Sequence, residues 1–228
     1  MLCEFLPLGD SAVRIQFGTE ISPQINRRIG RFCRVLESEP IAGVIEWVPS
    51  YAVVTVYFCL WQISYEEVCS ELSQRLRQRS ATPLSAARLI EIPVCYGGLH
   101  GLDLAEVAEA HRLTAAQVIR RHTAPAYRVY FLGFLPGFAY LGGLAPTLAT
   151  PRRATPRLSV PAGSVGIAGA QTGVYPSETP GGWQIIGRTP LCLYDPVRQP
   201  PALLAAGDHV KFVPITEQQF EESIRGEN

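Results

Sequence analysis

Between Phe131 and Pro190, about a quarter of the chain, lie eleven of its twenty glycines and eight of its nineteen prolines. Glycine costs a helix about 1 kcal/mol per position relative to alanine, and proline about 3. No helix survives that density. Short β-like runs alternate with glycine and proline from Tyr127 to about Pro214, and many short strands with frequent turns predict a closed barrel.

The first part of the chain reads differently. Val13, Ile15 and Phe17 alternate with Arg14 and Gln16, the pattern of a half-buried strand. Ser22-Pro23 then starts a helix, with serine as N-cap and proline at the first helical position. Ile25, Ile29, Phe32, Cys33 and Leu36 fall on one helical face. Residues 43–47 and 51–58 read as strands around a Pro49-Ser50 turn, and Ser64 with Glu67 has capping-box spacing ahead of Val68, Leu72 and Leu76. Strands followed by a helix, twice, predict a small α+β domain of the ferredoxin-like split β-α-β kind over residues 1–82. The polar stretch 79–85 reads as a linker, and residues 83–228 as the mainly-β barrel domain. Within the latter, 88–94 resumes as a strand. Asp103 with Glu106, and Thr114 with Gln117, mark the starts of a helical pair.

Composition excludes several functions. The 228 residues carry twenty basic and twenty acidic side chains, so nothing steers the chain as a whole toward nucleic acid or an anionic membrane. Lys211 is the only lysine, so nearly all positive charge is arginine, whose forked donors suit carboxylate and phosphate. The start, with Glu4 and Asp10 and no basic cluster, lacks the layout of a signal peptide, and the longest apolar run, 52–61, is too short to span a bilayer. A cytoplasmic location is expected. The six cysteines form no C-x-x-C pair and read as reduced thiols, and the four histidines show no ligand spacing, so no metal is expected.

The helical pair from Asp103 to His122 has no basic recognition start, which argues against DNA binding and for a lid over the barrel. The segment 163–173 is glycine-rich but lacks the Lys-Ser/Thr of a P-loop and the spacing of a dinucleotide fingerprint. Ala162 stands where a G-x-S-x-G elbow around Ser164 needs its first glycine. Its glycines suit a close approach of backbone to a ligand or a barrel corner. The run TPRRATPR, 150–157, places three arginines on a proline-stiffened loop: a solvated loop on one reading, an anion clamp on the other. The aromatic-glycine run 131–143 suits either barrel core or the wall of a small concave site, to which Gln171, Thr172, Tyr175, Glu178, Trp183 and Gln184 would add polar groups.

The strings FLGFLPGFAYLGGL, ATPRRATPR, VPAGSVGIAGAQTGVYP and ETPGGWQIIGRTPL closely resemble the KipI-like family, also called allophanate hydrolase subunit 1 or the 5-oxoprolinase B subunit. FLPLGDSAVRIQFG, IPVCYGG and GDHVKFVPI extend the resemblance over nearly the whole chain. It implies a cyclophilin-like barrel behind a small α+β domain. It implies two partners, one KipA-like and one LamB/YcsF-like, which with this chain open 5-oxoproline to glutamate with ATP bound in the assembled complex. A KipI-like inhibitor of a sensor histidine kinase and a component of an allophanate or urea amidolyase are the other functions the family implies. One departure stands out. Where relatives commonly read YGGE-x-GPDL, this chain reads YGGLHGLDL, with Leu99 for the acid and Leu102 for the proline.

On the 5-oxoprolinase reading, the substrate carboxylate wants a guanidinium, for which Arg152 and Arg157 are candidates and Arg153 a substitute. The lactam group wants Gln171 and Tyr175, and the ring methylenes want Phe138 and Trp183. His100, after a Gly-Gly turn, is the acid-base candidate, since imidazole titrates near neutrality.

Overall fold

The computed structural model describes residues 3–78 and 87–226, so the stretch read as a linker lies outside the described residues. The chain divides into two compact units, Met1–Ala86 and Ala87–Asn228.

The first unit contains β1 (Glu4–Pro7), β2 (Ala12–Gln16), α1 (Pro23–Ser38), β3 (Val44–Pro49), β4 (Val53–Phe58) and α2 (Tyr65–Arg77). Both helices start where their side chains direct. The Ser22 hydroxyl accepts from the Gln24 N–H, and Ser64 and Glu67 form a reciprocal capping box. The four strands pair antiparallel in the order β1-β2-β4-β3. Val54, Val56 and Phe58 alternate inward from β4 and bury against Ile29, Phe32 and Leu36 of α1 and Val68 and Leu72 of α2. The strand order departs from the ferredoxin-like one. The edge beside β2 is taken by β1, which precedes it in sequence, and among the described residues no strand of this sheet follows α2. The β1–β2 pairing is a local hairpin, which closes that edge with a short loop.

The second unit is built on a closed barrel of seven strands: β5 (Leu89–Tyr96), β6 (Tyr127–Leu132), β7 (Ala139–Gly142), β9 (Ser164–Ala168), β10 (Gln171–Val174), β12 (Gln184–Arg188) and β13 (His209–Ile215). Neighbours follow the order β10-β7-β6-β13-β5-β12-β9, with β9 returning to β10. Only β13 and β5 run parallel. Helices α3 (Leu104–Ala110) and α4 (Ala115–Thr123) put Leu104, Val107, Ala108 and Val118 into the same core as Ile92, Tyr127, Leu141, Ile167 and Phe212, so the helical pair covers the barrel as a lid. A two-stranded antiparallel sheet of β8 (Arg157–Val160) and β11 (Thr179–Gly181), strands separated in the chain by β9 and β10, lies outside the barrel circuit, and α5 (Glu217–Gly226) follows β13.

Strand β9 is buried at every residue, which a barrel strand with one wet face would not be. Val165 and Ile167 point into the barrel core, whereas Ala168 belongs to a second cluster on the outer wall with Phe138, Val160, Tyr175, Trp183 and Ile185. Two glycines of the 163–173 segment, Gly166 and Gly173, serve that outer layer. A Cβ at Gly166 would come 3.1 Å from Trp183 Cβ, and one at Gly173 would come 3.2 Å from the indole and 3.3 Å from the Phe138 ring. The close approach expected for this segment is made by the protein's own aromatic rings.

Candidate functional site

Asp103 organises the region where β12, the lid and the arginine loop meet. Its side chain is only 1% exposed. Arg157 donates to it through both Nη atoms, at 2.9 and 2.6 Å, and Arg153 Nη1 donates at 2.9 Å. The Ile185 backbone N–H adds a fourth bond at 2.6 Å. Asp103 and Glu106 looked like a helix cap and its partner. Asp103 does precede α3, but its carboxylate makes no capping bond. Two guanidinium groups brought in from fifty or more residues away compete for it, and charge-assisted, bidentate bonds outweigh a cap. Thr114 and Gln117, with no such competitor, form the expected capping box.

The backbone beside this carboxylate is tightly fitted. A Cβ at Gly101 would run into the carbonyl oxygen of Ile186. Gly101→Ala is therefore expected to destabilise the barrel unit by about 1–3 kcal/mol. Thermal denaturation checks this; an unchanged melting temperature would show that the 97–103 loop gives way freely.

Phe138, Tyr175 and Trp183 do come together. Their rings meet edge to face, with centroids 5.7–6.2 Å apart, and all three are buried. Such contacts add about 0.5–1.5 kcal/mol per pair beyond area burial. They fill the outer cluster by packing on one another. Burial raises the Tyr175 hydroxyl above its ordinary pKa, and a bond from the Trp183 backbone and the charges of Arg152 and Arg157 only partly oppose this, so the phenol stays protonated. Gln171, partly buried, opens β10 opposite Ala168, two residues before Gly173 and four before Tyr175.

The arginines divide. Arg157 spends both Nη groups on Asp103, and that bond raises its pKa further. Arg153 shares Asp103 and lies 3.7 Å from Glu106. Arg152 is exposed, has no ion pair among the described residues, and acts on the Tyr175 hydroxyl by its charge. His100 lies in the turn before α3 and faces α5. Its ring packs 4.3 Å from Phe220 of α5, and Nε2 lies 3.8 Å from Glu217. Leu99 and Leu102, the two departures in the turn before α3, are exposed.

A second polar constellation runs through the barrel interior. His122 on α4 is fully buried, with Nδ1 2.8 Å from the Tyr96 hydroxyl and Nε2 2.8 Å from Thr172 Oγ1. The Thr172 hydroxyl donates its one proton to the Gly166 carbonyl at 2.9 Å. It can therefore only accept from Nε2–H, which leaves Nδ1 to accept from Tyr96. The polarity of the chain is fixed: Tyr96 to His122 to Thr172 to Gly166. Burial pushes the His122 imidazole down to about 3, so it is neutral. In the sequence His122 follows Arg120 and Arg121 at the end of the helix, where its neighbours do not set it apart from a basic surface residue. The available signal was its four-residue spacing from Val118, which puts both on the helix face that meets the barrel.

Among the described residues no group of three or more His, Cys, Asp and Glu side chains could hold a metal ion, and no helix is long and apolar enough to cross a membrane.

A lidded seven-stranded barrel behind an α+β unit is a carboxyltransferase-type architecture: the carboxyltransferase domain, subdomain C and D, matches residues 3–204. The urea amidolyase of Kluyveromyces lactis shares the fold, with a TM-score of 0.80 over 98% of this chain and 15% of that one, at 21% identity. Within this class the chain belongs to the family of the 5-oxoprolinase B subunit. It is 46% identical to the 5-oxoprolinase B subunit of Bacillus subtilis, with 93% of each chain covered. The solved structure of TTHA0988 matches with a TM-score of 0.79 at 37% identity; the match covers 90% of this chain but only 39% of that longer one.

Proposed function

We propose that this chain is the B subunit of a multi-subunit, ATP-dependent 5-oxoprolinase, a cytoplasmic hydrolase that converts 5-oxo-L-proline to L-glutamate with ATP hydrolysis. It is inactive alone and works with two partner chains, one KipA-like and one LamB/YcsF-like. The observation that carries this reading is the near-full-length match to the Bacillus subtilis protein of that name. The chemistry is consistent with it. A five-membered lactam is a stable amide, and coupling its opening to ATP hydrolysis supplies the driving force.

The substrate is an anion, and of the arginines at 152, 153 and 157, Arg153 pairs with Asp103 and Glu106 and Arg157 with Asp103, whereas Arg152 makes no ion pair among the described residues. Arg152 carries the excess charge and is the proposed partner of the substrate carboxylate. Arg157, held by Asp103, acts by positioning the 152–157 loop. Gln171 and the Tyr175 hydroxyl are the proposed partners of the lactam N–H and C=O. Phe138 and Trp183 form the apolar backing, and His100 is the proposed acid-base group. The glycine-rich run 163–173 does not fit a nucleotide phosphate, because β9 and β10 spend its backbone on the barrel ladder. ATP is therefore assigned to the assembled complex and not to this segment.

Reconstitution with the two partner chains tests the reading. 5-Oxoproline-dependent ATP hydrolysis with glutamate release is expected, and no activity with all three chains folded would overturn it. In that complex Arg152→Gln is expected to raise KM for 5-oxoproline by about tenfold or more, the loss of one charge-assisted bond. An unchanged KM would remove Arg152 from the site.

A further inference from the structure

The loop that carries Arg152 is tied down on both sides of that residue. On one side the Pro151 carbonyl accepts from Gln184 Nε2 at 3.0 Å, and on the other the Arg153 backbone N–H donates to the Gly182 carbonyl at 2.8 Å. The two holding residues, Gly182 and Gln184, themselves flank Trp183, which is buried in the outer aromatic cluster. The ends of the loop are fixed as well. The Thr150 hydroxyl gives its proton to the Leu148 carbonyl, so it accepts from His111 Nε2–H at 3.0 Å, and the Thr150 carbonyl accepts from the Gly169 N–H at 2.7 Å. Arg157 is held by Asp103. Between these ties Arg152 is exposed and makes no ion pair among the described residues.

The Gln184 bond differs from the others in kind. Proline has no N–H, so backbone pairing cannot run on from Arg153 through residue 151, and a side-chain amide supplies the donor instead. A carbonyl can only accept, so the amide nitrogen faces Pro151 and the amide oxygen faces away. That oxygen, Gln184 Oε1, is buried and has no hydrogen-bond partner among the described residues. A buried acceptor without a partner costs stability, so such a group calls for a reason other than stability. The Pro151 carbonyl lies at an exposed position, where water can take the place of the amide. Stability alone therefore favours an apolar side chain of the same length at 184. What the amide achieves is placement. With Pro151 and Arg153 both held, the backbone of Arg152 is fixed between them, and a guanidinium on a fixed backbone loses less freedom on meeting an anion.

We propose that Gln184 is the positioning residue for Arg152: its amide, held against the Pro151 carbonyl, sets where that guanidinium meets the substrate carboxylate. This rests on the reading of Arg152 as the partner of that carboxylate. Gln184→Met tests it, because the thioether side chain keeps the length while removing both the donor and the unpaired oxygen. The full chain carrying Gln184→Met is expected to melt at or above the wild-type temperature. Hydrogen exchange at the Arg153 N–H is expected to accelerate by about tenfold while the barrel strands keep their protection. In the reconstituted complex KM for 5-oxoproline is expected to rise at least about fivefold, with kcat within about twofold of wild type. Added to Arg152→Gln, Gln184→Met is expected to leave KM where Arg152→Gln alone puts it, because the two act as one unit. A lowered melting temperature would make Gln184 an internal support and overturn the proposal. So would unchanged exchange at Arg153, a fall in kcat as large as the rise in KM, or a KM increase that persists in the double variant. Exchange needs no turnover, so the two ideas separate. An inactive wild-type complex with accelerated exchange in Gln184→Met removes the enzyme reading and the substrate role with it, leaving only a loop anchor. An active complex whose KM is indifferent to Gln184→Met removes the positioning role alone.

Discussion

Asp103→Ala is expected to destabilise the barrel unit by about 3–5 kcal/mol, the cost typical of removing one partner from a buried ion pair. For a unit of this size that is a fall in melting temperature of about 10 °C or more. The carboxylate accepts from Arg157 twice, from Arg153 and from the Ile185 N–H, all within 2.9 Å, so its loss orphans several donors at once. The arginine side chains are 31% and 21% exposed, so water recovers part of the loss but not all of it. Asp103→Asn keeps an acceptor for the Ile185 N–H and is expected to lose less. The ordering of the three proteins in thermal denaturation is the check. A melting temperature for Asp103→Ala within about 2 °C of wild type would mean that the cluster only bridges a tolerant surface. A second signature is local: hydrogen exchange at Ile185 and along β8 is expected to accelerate in Asp103→Ala even where the rest of the barrel stays protected.

Acidification from pH 7 to pH 4 is expected to remove about 3 kcal/mol of barrel stability through His122 alone. The sign follows from the two proton affinities. In the unfolded chain the imidazole takes a proton at its ordinary value of 6.5, whereas in the fold it resists protonation down to about 3. The unfolded state thus binds more protons throughout that window. The neutral histidine's contribution is complete above pH 6.5 and lost progressively as the pH falls toward 3. Nδ1 and Nε2 are both committed, one accepting from Tyr96 and the other donating to Thr172, so a second ring proton would displace the Tyr96 hydroxyl proton from its acceptor. Denaturant midpoints against pH, with hydrogen exchange of the barrel strands as the probe, measure this. His122→Gln is expected to be less stable at pH 7 and to show a flatter pH dependence between 6.5 and 4. Equal slopes for the two proteins would exclude His122 as the source.

Much of the local structure was legible in the sequence. Ser22, Ser64 and Thr114 cap helices because a hydroxyl at an N-cap needs only the next turn of its own helix as partner. The absence of α-helix between Phe131 and Pro190 follows from glycine and proline density. Where sequence reading went astray, the deciding partner was distant. Asp103 reads as a cap because Glu106 follows at the right spacing, yet Arg153 and Arg157 take its carboxylate. The arrangement of the first unit's sheet depends on whether β1 pairs with β2, a strand of four residues without strong alternation. His122 gives one faint signal in its spacing from Val118 and none of its partners Tyr96 and Thr172.

The candidate site shows the same division. Its residue types, three arginines on a stiff loop and rings among glycines, are a property of the sequence. Which arginine is spent internally and which is left facing solvent is not. That depends on a carboxylate some fifty residues earlier being carried by the lid to the mouth of β12. The sequence alone determined the elements, because capping, periodicity and the exclusion of helix act within a turn or two of the chain. Only the tertiary structure decided that Gly166 and Gly173 make room for aromatic rings and that Arg157 is tied to Asp103. It alone showed that His100 packs against α5 and that Phe134 is held outward. These assignments arise from contacts between segments far apart in the chain, and they are settled by the closure of the barrel.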